Sequence, residues 1–577
     1  MPVKIRWPVP EDLVIAQEAE LRPIAEVAKD AGILDEELEL YGRYMAKIDY
    51  VKVLERLKDN PSAKMICVTA ITPTPLGEGK TVTAFGLGQA LKRRGTNIIN
   101  TFREPSKGPL FGIKGGATGG GYSQALPMEN INLHFTGDIH AADTAQNLCA
   151  AAIDASILHG NKLNIDPLNI TWRYCVDVNA RALRTIIVGI GGRADGYPRV
   201  TGYDITVATE TAAIHALTSG LRDLRERFRR TVIGYTYDNK AVTCEDLRVA
   251  GAMTVLLKDA IKPNLVQSTE GHPMICHAFP FANVAHGNNS VLADLVAVKL
   301  ADYVVTENGF GVDCGFVKMI DVKCRQSGLK VDCCVIVATV RALKQHGGAF
   351  HLRPGMAYSR VKEAAETENL PALEKGCENL ARNIEIARMY GVPVVVSVNK
   401  FTPDTDKELE LVRRKALEAG ADGVALFEGW AKGGEGGLEL ADEVLKAVEK
   451  PHEMKFLFPD DIPIKDKIET IATKVFGADG VDFSPDAQQR LKLYTDLGFG
   501  WMTVNMAKTH LSLSHDPNWV GVPKNYRLPV RDIRASVGAG FFYPLCGVFP
   551  TMPGLPTVPA FVPVDIDLET GKTVGLF

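Results

Sequence analysis

The chain is predicted to be α/β, with one large parallel-sheet domain and two smaller α/β or α+β domains. Three observations predict this. Short apolar runs alternate with helical stretches over most of the 577 residues, as in a parallel sheet wrapped by helices. The carboxyl ends of those runs carry long polar and glycine-rich sequences, and open α/β sheets bind ligands outside such ends. One of these ends, "TPTPLGEGKT", sets glycines and a lysine between a strand and a helix, the setting of a phosphate-binding loop. The large domain is therefore expected to be a P-loop-type nucleotide-binding domain.

The elements follow in order. Residues 11–60 have apolar positions at helical spacing and read as helices. "AKMICVTAI" is a short apolar strand, and after the loop "TVTAFGLGQALKRRG" is a helix stopped by glycine. Further strands are read at "NIINTF", "TIIVGI", "NLVQS", "MICHA", "DYVVTE", "CCVIVATV", "PVVVSVN" and "GVALFEG". Their ends carry "REPSKGP", "GGRADG", "PFANVAHGNNS", "ENGFGVDCG", "NKFTPD" and "EGWAKGGEGG". A structural sheet needs only short turns there, so one composite site is expected. The length suggests about two to four domains. A charged stretch over 353–380 and the sequence "EKPHEMKFLFPDD" mark boundaries, giving domains 1–347, 348–455 and 456–577.

Composition narrows the function. A net charge of -4 gives no reason to expect nucleic acid or an anionic membrane as partner. The N-terminus lacks a signal-type apolar core, and no run of about 18 apolar residues appears, so a cytoplasmic protein is expected. Eleven cysteines, mostly in apolar surroundings, fit a reducing compartment. Cys314, Cys324, Cys333 and Cys334 lack zinc-like spacing and read as buried thiols in strands.

The loop departs from G-x-x-x-x-G-K-[ST] at one position: Thr74 stands at the first glycine. Gly77 and Gly79 still supply the turn, Lys80 can reach phosphates and Thr81 can offer a hydroxyl to Mg²⁺. Pro73 and Pro75 stiffen the entrance. "VNKFTPD" resembles the guanine-reading N-K-x-D, but Thr402 replaces the aspartate, so ATP is the expected nucleotide. On the next strand, "FREPSKGP" sets Arg103 and Glu104 at a carboxyl end, and arginine's planar fork suits a carboxylate or acyl phosphate. The glycine-rich "GIKGGATGGGYSQ" allows close backbone approach to a ligand.

Taken together, "TPTPLGEGKT", "REPSKGPLFGIKGGATGGGYSQALPMENINLHFTGDIHA", "KDAIKPNLVQ", "PFANVAHG", "DVKCR", "WAKGGEGG", "PIKDKIETIA" and "TMPGLP" resemble the formate–tetrahydrofolate ligase family, in order and over nearly the whole chain. The resemblance implies ATP-dependent joining of formate to tetrahydrofolate through formyl phosphate, with Mg²⁺ and a monovalent cation (K⁺ or NH₄⁺), in a homotetramer. It implies that Thr74, Pro75, Leu76, Gly77, Glu78, Gly79, Lys80 and Thr81 hold ATP, with Thr81 on Mg²⁺. Arg103 would bind formate and formyl phosphate, and Ser106 would donate to that phosphate. Glu104 matches a position near the cation. Asp138 would act as general base or orient the amine, completing a catalytic set with Lys80 and Arg103.

For folate, Phe401 and Trp430 fall just past two strand ends joined by a helical stretch over 405–420. Neighbouring strands lie roughly 5 Å apart, so the two rings could take a flat pterin between them. Phe310 joins this wall by resemblance. The chain departs from the family at Val82, Asn288 and Thr402, and in "HAFP" at 277–280. Two other readings stand beside the ligase: an ATP-switched P-loop binding protein and a catalytically silent folate-binding homologue. The joint presence of Arg103, Asp138, Phe401 and Trp430 weighs against the first, and retention of Lys80 and Arg103 against the second.

Overall fold

The run KMICVTA is apolar on both faces, as expected of a strand covered on both sides. In the computed structural model, which describes residues 4–113, 118–352 and 356–576, it forms the middle of a 12-stranded sheet. The strands in chain order are β1 (Leu38–Leu40), β2 (Ala46–Ile48), β3 (Lys64–Ala70), β4 (Ile98–Phe102), β5 (Gly119–Gly120) and β6 (Ser123–Leu126). There follow β7 (Asn264–Ser268), β8 (Pro273–Cys276), β9 (Tyr303–Glu307), β10 (Cys333–Ala338), β11 (Val394–Asn399) and β12 (Gly423–Phe427). Across the sheet the order is β1-β2-β7-β8-β4-β9-β3-β10-β11-β12, with β6 pairing β7 and β5. From β8 to β12 every neighbouring pair is parallel.

Alternate residues of β3 feed two cores, as the two-residue period of a strand requires. Met65 and Cys67 join the larger core, which includes helix α3 (Val340–His346) and α4 (Leu370–Met389). Ile66, Val68 and Ala70 join the smaller one, beside α1 (Lys80–Arg93) and α6 (Leu438–Val448). Two further helices matter below: α2 (Asp138–Leu158), and α5 (Asp406–Glu418) between β11 and β12. Among the described residues no helix is long and apolar enough to cross a membrane.

The structure differs from the sequence reading in four places. The first 60 residues are not all helical: β1 and β2 form an antiparallel edge hairpin. "TIIVGI" does not enter the parallel sheet. Ile186–Val188 pairs with Arg199–Thr201 as a separate hairpin, and "GGRADG" is its tip. The boundary expected near 348 does not divide one sheet from another, since β10 and β11 pair across it from Cys334↔Val394 to Ala338↔Val398. All eleven cysteines are buried and free. Of the four that cluster in sequence, however, Cys314 and Cys324 sit in helical turns, and only Cys333 and Cys334 lie in a strand. Residues 114–117 of the glycine run lie outside the described residues.

Residues beyond 456 form small sheets: Val481–Phe483 with Leu528–Val530, and Thr503–Val504, Phe541–Leu545 and Asp532–Ser536 together. Their apolar faces merge with the larger core.

Candidate active site

The loop after β3 is shaped by its own side chains. Gly77 (φ 72°) and Gly79 (φ 79°) take the left-handed conformation that glycine alone adopts without strain. Glu78 points inward, and its Oε1 accepts from the Thr74 amide at 2.7 Å and the Thr74 hydroxyl at 3.1 Å. A threonine at the missing glycine therefore closes the loop through its hydroxyl. Burial raises the pKa of Glu78, and Lys80, whose Nζ is 3.9 Å away, partly offsets this. From the end of β11, Asn399 donates to the Glu78 carbonyl at 3.0 Å and bonds the Thr83 hydroxyl. Thr83 in turn donates to the Gly79 carbonyl. The asparagine of the half-matched "NKFT" thus braces the loop.

One carboxylate joins the loop to the neighbouring strands. Glu307 ends β9, which lies between β3 and β4. Its Oε2 accepts from the Thr81 hydroxyl at 2.8 Å. Arg103, just past β4, is partly buried, and desolvation lowers its pKa while the Glu307 charge pulls it back up. Its Nη1 donates to the Pro280 carbonyl at 3.0 Å, and its buried Nε has no hydrogen-bond partner. Lys80, Thr81, Glu307 and Arg103 therefore line one short arc of the sheet's carboxyl edge. The hydroxyl of Thr81 and the carboxylate of Glu307 are hard oxygen donors, the type Mg²⁺ takes.

Glu104 is buried, its amide donates to the Ala278 carbonyl at 2.8 Å, and its Oε2 has no partner. Burial, then the charge of Asp138, raises its pKa well above the usual carboxylate range, while Lys107 and Lys47 oppose this. A buried carboxylate oxygen without a donor is a fitting ligand for a cation.

Two of the expected site residues are engaged by neighbouring side chains. Asp138 begins α2 with both oxygens occupied: Oδ1 accepts from Lys47 Nζ at 2.8 Å and Oδ2 from Asn264 Nδ2 at 2.8 Å. Lys47 and Asp138 are each only 1% exposed. Each oxygen thus already accepts one hydrogen bond, and Asp138 is both the partner of a buried lysine and a neighbouring charge to Glu104. The hydroxyl of Ser106 donates to Asp177 Oδ1 at 2.6 Å, and Asp177 also pairs with Lys107 at 3.0 Å. In this structure the Ser106 proton is therefore directed at Asp177.

The three aromatic candidates stand past β9, β11 and β12. Phe310 has φ 66° and stacks on His510 at 4.2 Å and 16°. Phe401 carries the guanidinium of Arg341 over its ring at 3.9 Å. Trp430 is 47% exposed, and its carbonyl accepts from the Tyr122 amide at 2.9 Å.

Residues 10–577 match the family described as formate–tetrahydrofolate ligase. The chain belongs to that family. It is 59% identical to the formate–tetrahydrofolate ligase of Desulforamulus reducens over 569 residues, covering 99% of this chain and 100% of the relative. The relatives of the same name from Roseiflexus castenholzii and Saccharopolyspora erythraea are 54% and 51% identical, each over 98% of this chain and 99% or 100% of their own. This member of the ligase family is accordingly an enzyme that forms a bond between its substrates.

Several residues that the structure places beside the candidate residues were not singled out as candidates in the sequence. Glu307 lay within "ENGFG", a strand end already marked as polar, and its neighbourhood in the sheet was the missing signal. Asn288, where the family usually has cysteine, donates to the Glu307 carbonyl at 2.5 Å and so supports the same strand end. Lys323, wholly buried, bonds Asn289 and forms an ion pair with Asp294 beneath it. Arg341, one turn past β10, gave no pattern in the sequence.

Proposed function

We propose that the protein joins formate to tetrahydrofolate with ATP, giving 10-formyltetrahydrofolate, ADP and phosphate through formyl phosphate. A formate oxygen attacks the γ-phosphorus and the bond to ADP breaks. The folate N10 then attacks the formyl carbon, phosphate departs, and the amine proton leaves with it. Phosphorylation turns a poor acyl donor into a good one, and the site must keep water from the intermediate.

The single observation that carries this reading is the shared carboxylate. Glu307 touches the Thr81 hydroxyl and acts electrostatically on Arg103, which supports setting the phosphate and formate roles side by side. Residues 74–81 would cradle the ATP phosphates, with Lys80 neutralising charge that develops on the transferred group. Arg103 would hold formate and then formyl phosphate through its free Nε and a neighbouring N–H, as paired charge-assisted bonds. Thr81 and Glu307 would hold Mg²⁺, which lowers the charge repelling an incoming carboxylate. Glu104 would bind K⁺ or NH₄⁺, which compensates its buried charge. Phe401, Trp430 and Phe310 would take the pterin by stacking. A cytoplasmic homotetramer completes the reading, supported by the family resemblance and the buried, free cysteines.

Purified protein with MgATP, tetrahydrofolate and K⁺ should release ADP only when formate is added. Acid should then convert the product to the methenyl form, read by absorbance. Absence of formate-dependent ADP release would refute the reading.

A further inference from the structure

Arg341 touches both halves of the proposed site. It lies at the start of α3, just after β10. Its guanidinium carbon is 3.9 Å from the centre of the Phe401 ring. One Nη points at the carbonyls of Leu76 and Gly77, each at 3.4 Å, the long limit of a hydrogen bond. Its Nε is buried without any hydrogen-bond partner. A buried donor left unmatched is rare enough to need a reason. The charges of Tyr358, Glu78, Asp404 and Glu366 act on this cation from a distance, but one aromatic face, two distant carbonyls and an unmet N–H leave its hydrogen bonding weakly satisfied.

We propose that Arg341 is a movable cover. Without nucleotide it occupies the stacking face of Phe401, and the phosphates of bound ATP draw it off, opening that face to the pterin. The inference rests on the assignment of residues 74–81 to ATP and of Phe401 to folate made above. A ligand shifts such an equilibrium only by binding one state better. The triphosphate does so, because bonds from guanidinium to phosphate are charge-assisted and stronger than those to carbonyls. The loop carbonyls that Arg341 already reaches belong to the segment assigned to the phosphates, so the move lies within one side chain's span. Coupling of this kind is reciprocal: ATP tightens tetrahydrofolate, and tetrahydrofolate tightens ATP. The folate pocket then opens only once the group that activates formate is in place.

The test is a titration of tetrahydrofolate into the full-length protein, with and without Mg²⁺ and the β,γ-imido analogue of ATP. In the wild type the analogue should tighten tetrahydrofolate by about fivefold or more, the size of a partly buried cation–π contact. In Arg341→Ala, tetrahydrofolate without the analogue should bind as tightly as it does to the wild type with it, and the coupling should vanish. Equal weakening of tetrahydrofolate with and without the analogue would overturn the proposal, since Arg341 would then be a fixed backing for the ring. So would coupling that survives the substitution. Circular dichroism melting checks the fold. If Arg341→Ala does not fold, a wild-type crystal structure with the analogue decides: a guanidinium still on Phe401 overturns the proposal. Phe401→Ala separates the two levels. Unchanged tetrahydrofolate affinity in that variant removes Phe401 from the folate site and overturns both the assignment and the inference.

Discussion

The two ends of the ligand-binding edge are built differently. From β2 across to β3 the polar side chains are buried or partly buried and bound to one another: Lys47 to Asp138, Thr81 to Glu307, Thr74 to Glu78. Around β11 and β12 the aromatic candidates are only partly covered, Phe401 by one arginine and Trp430 by the backbone of the glycine run. The difference fits the roles proposed for the two ends. Charge that develops in a transferring phosphoryl group is stabilised by dipoles and charges fixed beforehand. A flat ring needs mainly area and can be met by side chains that adjust. The braced end is expected to govern turnover, and the loose end to govern affinity.

The largest effect should come from the braced end. Lys80→Ala should lower kcat by about 10³-fold, a usual magnitude for losing one fixed charge in such a site, as measured by formate-dependent ADP release. A variant retaining a tenth of wild-type turnover would break the contrast. Next, Lys47→Met should destabilise the fold by about 3–5 kcal/mol by leaving Asp138 buried and unpaired. Urea unfolding measures this, and a loss below 1 kcal/mol would mean Asp138 finds another partner.

Glu104 sharpens the comparison through pH. Its pKa in the folded protein is raised by burial and by Asp138. The folded state therefore holds this proton more tightly than the unfolded state, and stability falls as pH rises above the unfolded value of about 4.3. In buffer free of K⁺ and NH₄⁺, Glu104→Gln should melt above the wild type at neutral pH, and the gap should close below about pH 4. Added K⁺ should raise the Tm of the wild type and leave that of the variant unchanged.

At the loose end, Trp430→Ala should raise the KM for tetrahydrofolate by about tenfold, from lost burial and stacking, and leave the KM for ATP unchanged. A matching loss in ATP binding would show that the two ends are not separate. The smallest effect concerns Ala278, whose φ of 62° suits glycine and whose carbonyl supports Glu104. Ala278→Gly should stabilise the protein by about 1 kcal/mol in the same urea assay.

Much of this was legible in the sequence. The turn at Gly77 and Gly79 and the placement of Arg103, Phe401 and Trp430 just past strand ends were both readable, because glycine turns and carboxyl-edge placement are local rules. What stayed hidden depends on pairings between distant segments. Lys47 meets Asp138 only because β2 lies beside β7, where Lys47 faces Asn264. Glu307 gains its meaning from lying between β3 and β4, an order that no local pattern encodes. "TIIVGI" had the composition of a core strand, yet its register partners are Arg199–Thr201, and Ile187 remains exposed on the surface hairpin.

The Lys47–Asp138 pair has a consequence for how the molecule tolerates change. Lys47 sits one position from the outermost strand, in a hairpin that resembles a dispensable trimming on the sheet. Its ammonium nonetheless acts, directly and through Asp138, on the electrostatic surroundings of the carboxyl group assigned to the cation. Trimming, tagging or swapping that early hairpin would reach the proposed cation ligand by way of three side chains.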